Sequence, residues 1–197
     1  MNRRWQRGII RGQEALPSAT PLVIKIGGSL LAMPDWPAAV AALLADSTRP
    51  LVVVGGGGLV DGLRAIDAAS PRPAALMHRL AIEAMSLTAS LVADACRLPV
   101  VTSPGPAGGI LDAARWLASS GAGGDLPVGW HVTSDSIAAT AARRGSRGLL
   151  LVKSVPPPLE AGGNLASLAA RGWVDEHFPT AADDVQPIAW AAWVDQR

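Results

Sequence analysis

The chain has 197 residues, 49% of them hydrophobic and 17% charged, with a formal net charge of +1; this is enough apolar material for one domain with a sizeable core, and it excludes a disordered chain. So small a charge supplies no basic field for nucleic acid and no acidic tail. A single cysteine, Cys96, rules out an internal disulfide framework and fits a reducing cytoplasm, and no apolar run reaches the ~18 to 20 residues of a membrane span.

Arg3, Arg4, Arg7 and Arg11 stand near the start with no continuous apolar region behind them. Residues 1–20 therefore read as a basic, flexible tail rather than a secretory signal, and 21–197 as a single domain. Leu22-Val23-Ile24-Lys25-Ile26 has the composition of a buried parallel strand, and it empties through Gly27-Gly28-Ser29 into a tight loop. Pro34-Asp35-Trp36-Pro37 starts a helix over Ala38 to Asp46, which crosses to a second strand, Leu51 to Val54, ending in Gly55-Gly56-Gly57-Gly58. Helices are predicted over Leu59 to Ala69, with Asp61 in the first turn, and over Met77 to Cys96, a long stretch free of Gly and Pro.

A strand over Val100 to Thr102, a Pro/Gly loop to Gly109 and a helix over Ile110 to Ser119 follow. Ser120 to Pro127 reads as a flexible loop, Trp130 to Val132 as a brief strand, and Thr133-Ser134-Asp135-Ser136 as the cap of a helix over Ile137 to Arg144. Leu149 to Val152 is a strand ending in Lys153-Ser154, after which Pro156 to Pro158 forbid an immediate helix. A helix near Leu165 to Arg171, an irregular stretch from Trp173 to Pro179 and a strand from Ile188 to Val194 complete the pattern.

Of the 17 basic residues only two are lysine, Lys25 and Lys153. Both stand at strand ends, where a compact ammonium does what a planar guanidinium cannot. Two glycine-rich loops at the carboxyl ends of two early strands point to two phosphate-bearing groups facing each other. Lys25 can neutralise the charge of a bound phosphate, and Gly27 and Gly28 admit backbone N–H groups to it. Gly55, Gly56, Gly57 and Gly58 can cradle the carboxylate or phosphate of an acceptor. Asp61 is either a complement to its helix dipole or a ligand. His131 and His177 read as structural, and no His/Cys/Asp cluster has the spacing of a structural zinc site. A lysine at a strand end facing a polar site is expected to matter more for turnover than for folding.

Val23-Ile24-Lys25-Ile26-Gly27-Gly28-Ser29, Val52-Val53-Val54-Gly55-Gly56-Gly57, Thr133-Ser134-Asp135-Ser136 before an alanine-rich helix, and Leu151-Val152-Lys153-Ser154 occur in an order and spacing that resembles the amino acid kinase family. The resemblance covers roughly Leu22 to Phe178. It implies an α/β fold, a three-layer αβα sandwich around an open, mostly parallel sheet. It also implies an ATP-dependent phosphotransferase with a phosphate or carboxylate acceptor, the Mg2+ arriving with the nucleotide and held by phosphates and water rather than by a protein metal site.

By the same resemblance the catalytic set is Lys25, Asp135 and Lys153, with Asp135 between the two lysines and orienting their ammonium groups. Lys25, Gly27, Gly28, Ser29, Ser134 and Lys153 would hold the nucleotide phosphates. His78 with Arg79 to Met85, and Gly172 to Pro179, are most similar to a small archaeal-type branch whose named member phosphorylates an aminomethylfuranylmethyl phosphate in methanofuran biosynthesis, with relatives in methanopterin-linked one-carbon metabolism. His78 would then line the acceptor pocket; a satisfied helix-start histidine is the other reading. Two family features are missing: an Asp-Gly pair after the later strand, where Pro156 to Pro158 stand, and a lysine beyond Lys153. A non-catalytic ligand-binding or regulatory member of the same fold is therefore the second reading. The apolar excess of Met77 to Cys96 points to a homodimer.

Overall fold

The computed structural model describes residues 3–12, 21–119, 121–158 and 164–195. Seven strands form one sheet: β1 (Arg3–Arg11), β2 (Leu22–Ile26), β3 (Leu51–Val54), β4 (Val100–Val101), β5 (Gly109–Leu111), β6 (Gly148–Lys153) and β7 (Ile188–Asp195), in the order β1-β7-β6-β2-β3-β5-β4. Every neighbouring pair is parallel except β1 with β7. The helices are α1 (Trp36–Ala45), α2 (Gly58–Ala69), α3 (Ala74–Cys96), α4 (Ala113–Ser119), α5 (Ser134–Arg144), α6 (Leu165–Ala170) and α7 (Phe178–Ala181). This is the open, mostly parallel α/β sheet that the resemblance implies.

Strands β2, β3 and β6 read as unbroken apolar runs because both sheet faces are covered. Alternation divides them. Val23, Leu51, Val53, Leu149 and Leu151 join the core beneath α5, α6 and α7, whereas Ile24, Ile26, Val52, Val54 and Val152 join the core beneath α1 and the second half of α3. A strand's side chains repeat with a period of two, so Lys25 shares the face of Val23 and Lys153 that of Leu151. Both lysines thereby reach the carboxyl edge of adjacent strands on the face covered by α5.

Several elements depart from the sequence expectation. Within the first 20 residues, where a flexible tail is expected, Arg3–Arg11 is a nine-residue strand paired antiparallel with β7; residues 1–2 and 13–20 of that tail, like Ser120, lie outside the described residues. Its arginines find partners: Arg3 with Asp195 and Asp35, Arg7 with Asp46, and Arg11 with the carbonyls of Ala182 and Asp183. Trp5 stacks on Trp193 at 4.8 Å. An exposed edge tolerates such charges, which is why the sequence looks like a solvated tail.

The helix expected from Ile110 begins only at Ala113, since Ile110 and Leu111 are buried in β5 between β3 and β4. Three residues are too few to show a period. Trp130 to Val132 is a turn rather than a strand, with Val132 N–H donating to the Gly129 carbonyl. Ala122–Asp125 in the expected loop is a 3-10 turn whose Asp125 pairs with Arg143 and Arg144 of α5.

Candidate active site

The two glycine loops meet backbone to backbone. A Cβ on Gly28 would lie 2.1 Å from the Gly57 nitrogen and 2.7 Å from the Gly55 carbonyl oxygen, and one on Gly57 would lie 2.6 Å from the Gly28 oxygen. Gly57 also holds φ at +53°, the left-handed region that glycine enters without steric cost. These glycines are required by the crossing of the loops, which the sequence-level reading, with one phosphate per loop, did not contain. Gly27 is tied down by its N–H to the Val152 carbonyl at 2.8 Å, and Gly55 by its N–H to the Ile26 carbonyl at 2.8 Å. Among the described residues no acceptor faces the N–H groups of Gly28, Gly56 or Gly57. Gly58, the first residue of α2, has open space where a side chain would be.

Opposite the loops, the first turn of α5 carries Asp135 to a point between the two lysines. Lys25 Nζ lies 2.8 Å from Asp135 Oδ1, and Lys153 Nζ donates to Oδ2 at 2.9 Å. Lys25 and Asp135 are each only 4% exposed. Burial alone would push the Asp135 carboxyl up; the ammoniums, Lys25 first, outweigh it and hold the group below the usual carboxylate range. Lys153 is lowered to about 8, by burial first and then by Lys25, with Asp135 acting against both. Two ammoniums thus share one carboxylate, and Asp175 acts on Lys153 as a second, more distant negative charge.

The other residues picked out in the sequence surround this cluster. Ser29 Oγ lies 3.1 Å from Ser154 Oγ, bridging the ends of β2 and β6. Ser134, largely buried, and Gly55 to Gly57 line a cavity of about 220 Å³ that runs from the glycine loops toward α3. His78 closes its side, with Nδ1 3.2 Å from the Gly129 carbonyl oxygen. Asp61 sits at the rim, exposed and paired with Arg64 at 3.1 Å.

Residues to which the sequence reading gave no role of their own are also here. Val60, Ile82, Met85 and Ile137 give the cavity an apolar wall. Trp130 is held between the Asp67 carboxylate, 2.8 Å from its Nε1, and the Arg64 guanidinium, 5.2 Å from its ring. A second, more open groove of about 440 Å³ reaches Asp135 and Lys153 from the side of Trp173 and Glu176. Lys153 Nζ donates to the Trp173 carbonyl and lies 4.8 Å from the Trp173 ring centroid. Only the aromatic character of these tryptophans marks them in the sequence, and that character serves a core equally well.

Among curated proteins the chain has no match. The family model for the amino acid kinase family matches residues 20–156, a span that holds both glycine loops, the Asp135 turn and Lys153. On that match and the parallel sheet that carries these residues, the chain belongs to the amino acid kinase family.

Proposed function

We propose that the protein is an ATP-dependent kinase of a small phosphate- or carboxylate-bearing acceptor, with Lys25, Asp135 and Lys153 as its catalytic residues. The observation that carries this reading is the buried cluster of two ammoniums on one carboxylate at the carboxyl ends of β2 and β6, beside the glycine loop that follows Lys25. Positive charge next to loops with unpaired backbone N–H groups fits a polyphosphate, the donor class that the family implies. When bound, the Mg-nucleotide supplies the phosphoryl group.

The protein's share of the work is positioning and charge neutralisation. Lys25 and the N–H of Gly28 meet charge as it develops on the equatorial oxygens of the transferred group. Lys153 binds on the other side of Asp135, and the nucleotide phosphates also meet Ser29 and Ser134; Gly27, expected to offer its N–H, has it taken by the Val152 carbonyl. Asp135, already engaged by both lysines, orients them and leaves the metal to phosphates and water. The acceptor occupies the 220 Å³ cavity, its anionic group against Gly55 to Gly58 and its body against the apolar wall beside His78, with Asp61 at the rim. A flat furan-methyl phosphate, the substrate of the methanofuran branch, is the acceptor to test first. The intact charge cluster favours turnover over the ligand-binding reading.

Calorimetry with Mg-ATP and a non-hydrolysable analogue checks the donor half. Saturable heat with a Kd below a millimolar is expected, and silence at millimolar concentration discards the kinase reading. We also propose a homodimer through α3, where Leu87 and Leu91 are 62% and 57% exposed. Light scattering at micromolar concentration should give twice the 20.2 kDa of one chain.

A further inference from the structure

We propose that Asp175 is the positioning residue of the charge cluster: by gripping the first turn of α5 it sets Asp135 between Lys25 and Lys153, while Trp173 of the same segment seats Lys153. The segment lies beyond residues 20–156 matched by the family model. The Asp175 carboxylate accepts from Thr133 N at 2.9 Å, Thr133 Oγ1 at 2.8 Å, Ser136 N at 3.0 Å and Ser136 Oγ. Asp135 stands between the two residues so held.

The first N–H groups of a helix have no partner within it and are usually satisfied by a neighbouring side chain. Here the local cap is weak, since Thr133 Oγ1 accepts from Asp135 N at 3.4 Å. Asp175 takes over that task from 39 to 42 residues away. A cap from so far along the chain fixes where the helix begins relative to β6 as well as its conformation. Trp173 works on the other partner, its carbonyl accepting from Lys153 Nζ and its Nε1 donating to the Val155 carbonyl at 3.2 Å. The segment therefore grips both ends of the Asp135–Lys153 pair. The consequence for catalysis rests on the phosphoryl-transfer reading; the consequence for the cluster does not.

Because the chain has only two lysines, protein labelled with carbon-13 at lysine Cε gives one side-chain signal for each. Lys153 is faced by Lys25 from β2, by Asp135 from α5 and by Asp175 itself, with Arg64, His131 and Glu176 around the same groove. Titrated by NMR in the full chain, Asp175→Asn should lower the Lys153 midpoint by about half a pH unit or more and move the Lys25 signal as Asp135 loosens. A lower melting temperature with both signals and the Lys153 midpoint unchanged would reduce Asp175 to a helix cap and overturn the proposal. Thr133→Val removes one donor and keeps every charge, so it carries the test if Asp175→Asn does not fold. Displacement of both signals is then expected, and two unmoved signals overturn the proposal. Neither readout needs nucleotide, so a calorimetric failure with Mg-ATP leaves this result standing by itself.

Discussion

The two sides of the site are built by opposite means. On the β2–β3 side the work is done by backbone: two loops cross so closely that Gly28, Gly55 and Gly57 cannot carry a Cβ without colliding with main chain or with Ser134. On the α5 side it is done by side chains, where Asp175, Thr133 and Ser136 hold a helix end that holds Asp135. A backbone site tolerates almost no substitution at its glycines. A side-chain site tolerates isosteres and fails by degrees, through charge and hydrogen bonding.

The sharpest break should come from Asp135→Asn, which leaves two buried ammoniums without their shared carboxylate. Breaking a buried pair from one side costs about 3–5 kcal/mol, so a large fall in denaturation midpoint is expected along with loss of turnover. Lys25→Ala contrasts with it, because the remaining Lys153–Asp135 pair is neutral and the fold is retained. Turnover should still drop by about 10²–10³, as when one preorganised donor is removed from a developing charge. Lys25→Arg should fail almost as badly, its planar guanidinium being too wide for a site that is 4% exposed. Near-normal turnover of the arginine variant would make Lys25 a generic charge.

On the backbone side, Gly57→Ala should cost about 1–3 kcal/mol, since φ is +53° and the new methyl would sit 2.6 Å from the Gly28 oxygen. Thermal melting checks it against Gly58→Ala, which meets nothing within 4 Å and should stay within about 0.5 kcal/mol. Equal effects at the two positions would remove the argument that the loop crossing needs its glycines.

A pH series separates stability from function on the α5 side. Lys153 is lowered from 10.5 to about 8 in the folded protein. Between those values the unfolded chain binds a proton at this lysine that the folded one does not, so its contribution to stability grows as pH rises through the window. Turnover that needs the ammonium falls over the same range. Activity declining above pH 8 without a matching loss attributable to unfolding at Lys153 is expected, measured as kcat beside chemical denaturation in wild type and Lys153→Met. Identical pH slopes of stability in the two proteins would discard the lowered lysine.

The difference between the two sides also decides what could be read from the sequence. Strands buried on both faces are continuous apolar runs, so β2 and β3 were legible; the glycines after them were read as phosphate cradles, and the backbone crossing that requires Gly28, Gly55 and Gly57 was not legible. Lys25 and Lys153 stood out because arginine supplies nearly every other positive charge. Asp175 was not: an aspartate in an irregular stretch looks the same whether it caps its own turn or one 39 residues earlier. Strand β1 was hidden by its edge position, where arginines that would forbid a central strand serve to guard it, and β5 by its three-residue length.

The pairing of β1 with β7 has one more consequence, for the order in which the protein is made. Arg3 meets Asp195 across 192 residues of chain, so β1 leaves the ribosome long before its partner β7. Until then Trp5 has no Trp193 to stack on, and the edge of β6 that β7 will cover stays open. Closure of so long a loop is slow compared with formation of the parallel centre. The arginines of β1 are then its protection in the interval, keeping an unpaired strand charged and soluble while the rest of the sheet assembles without it.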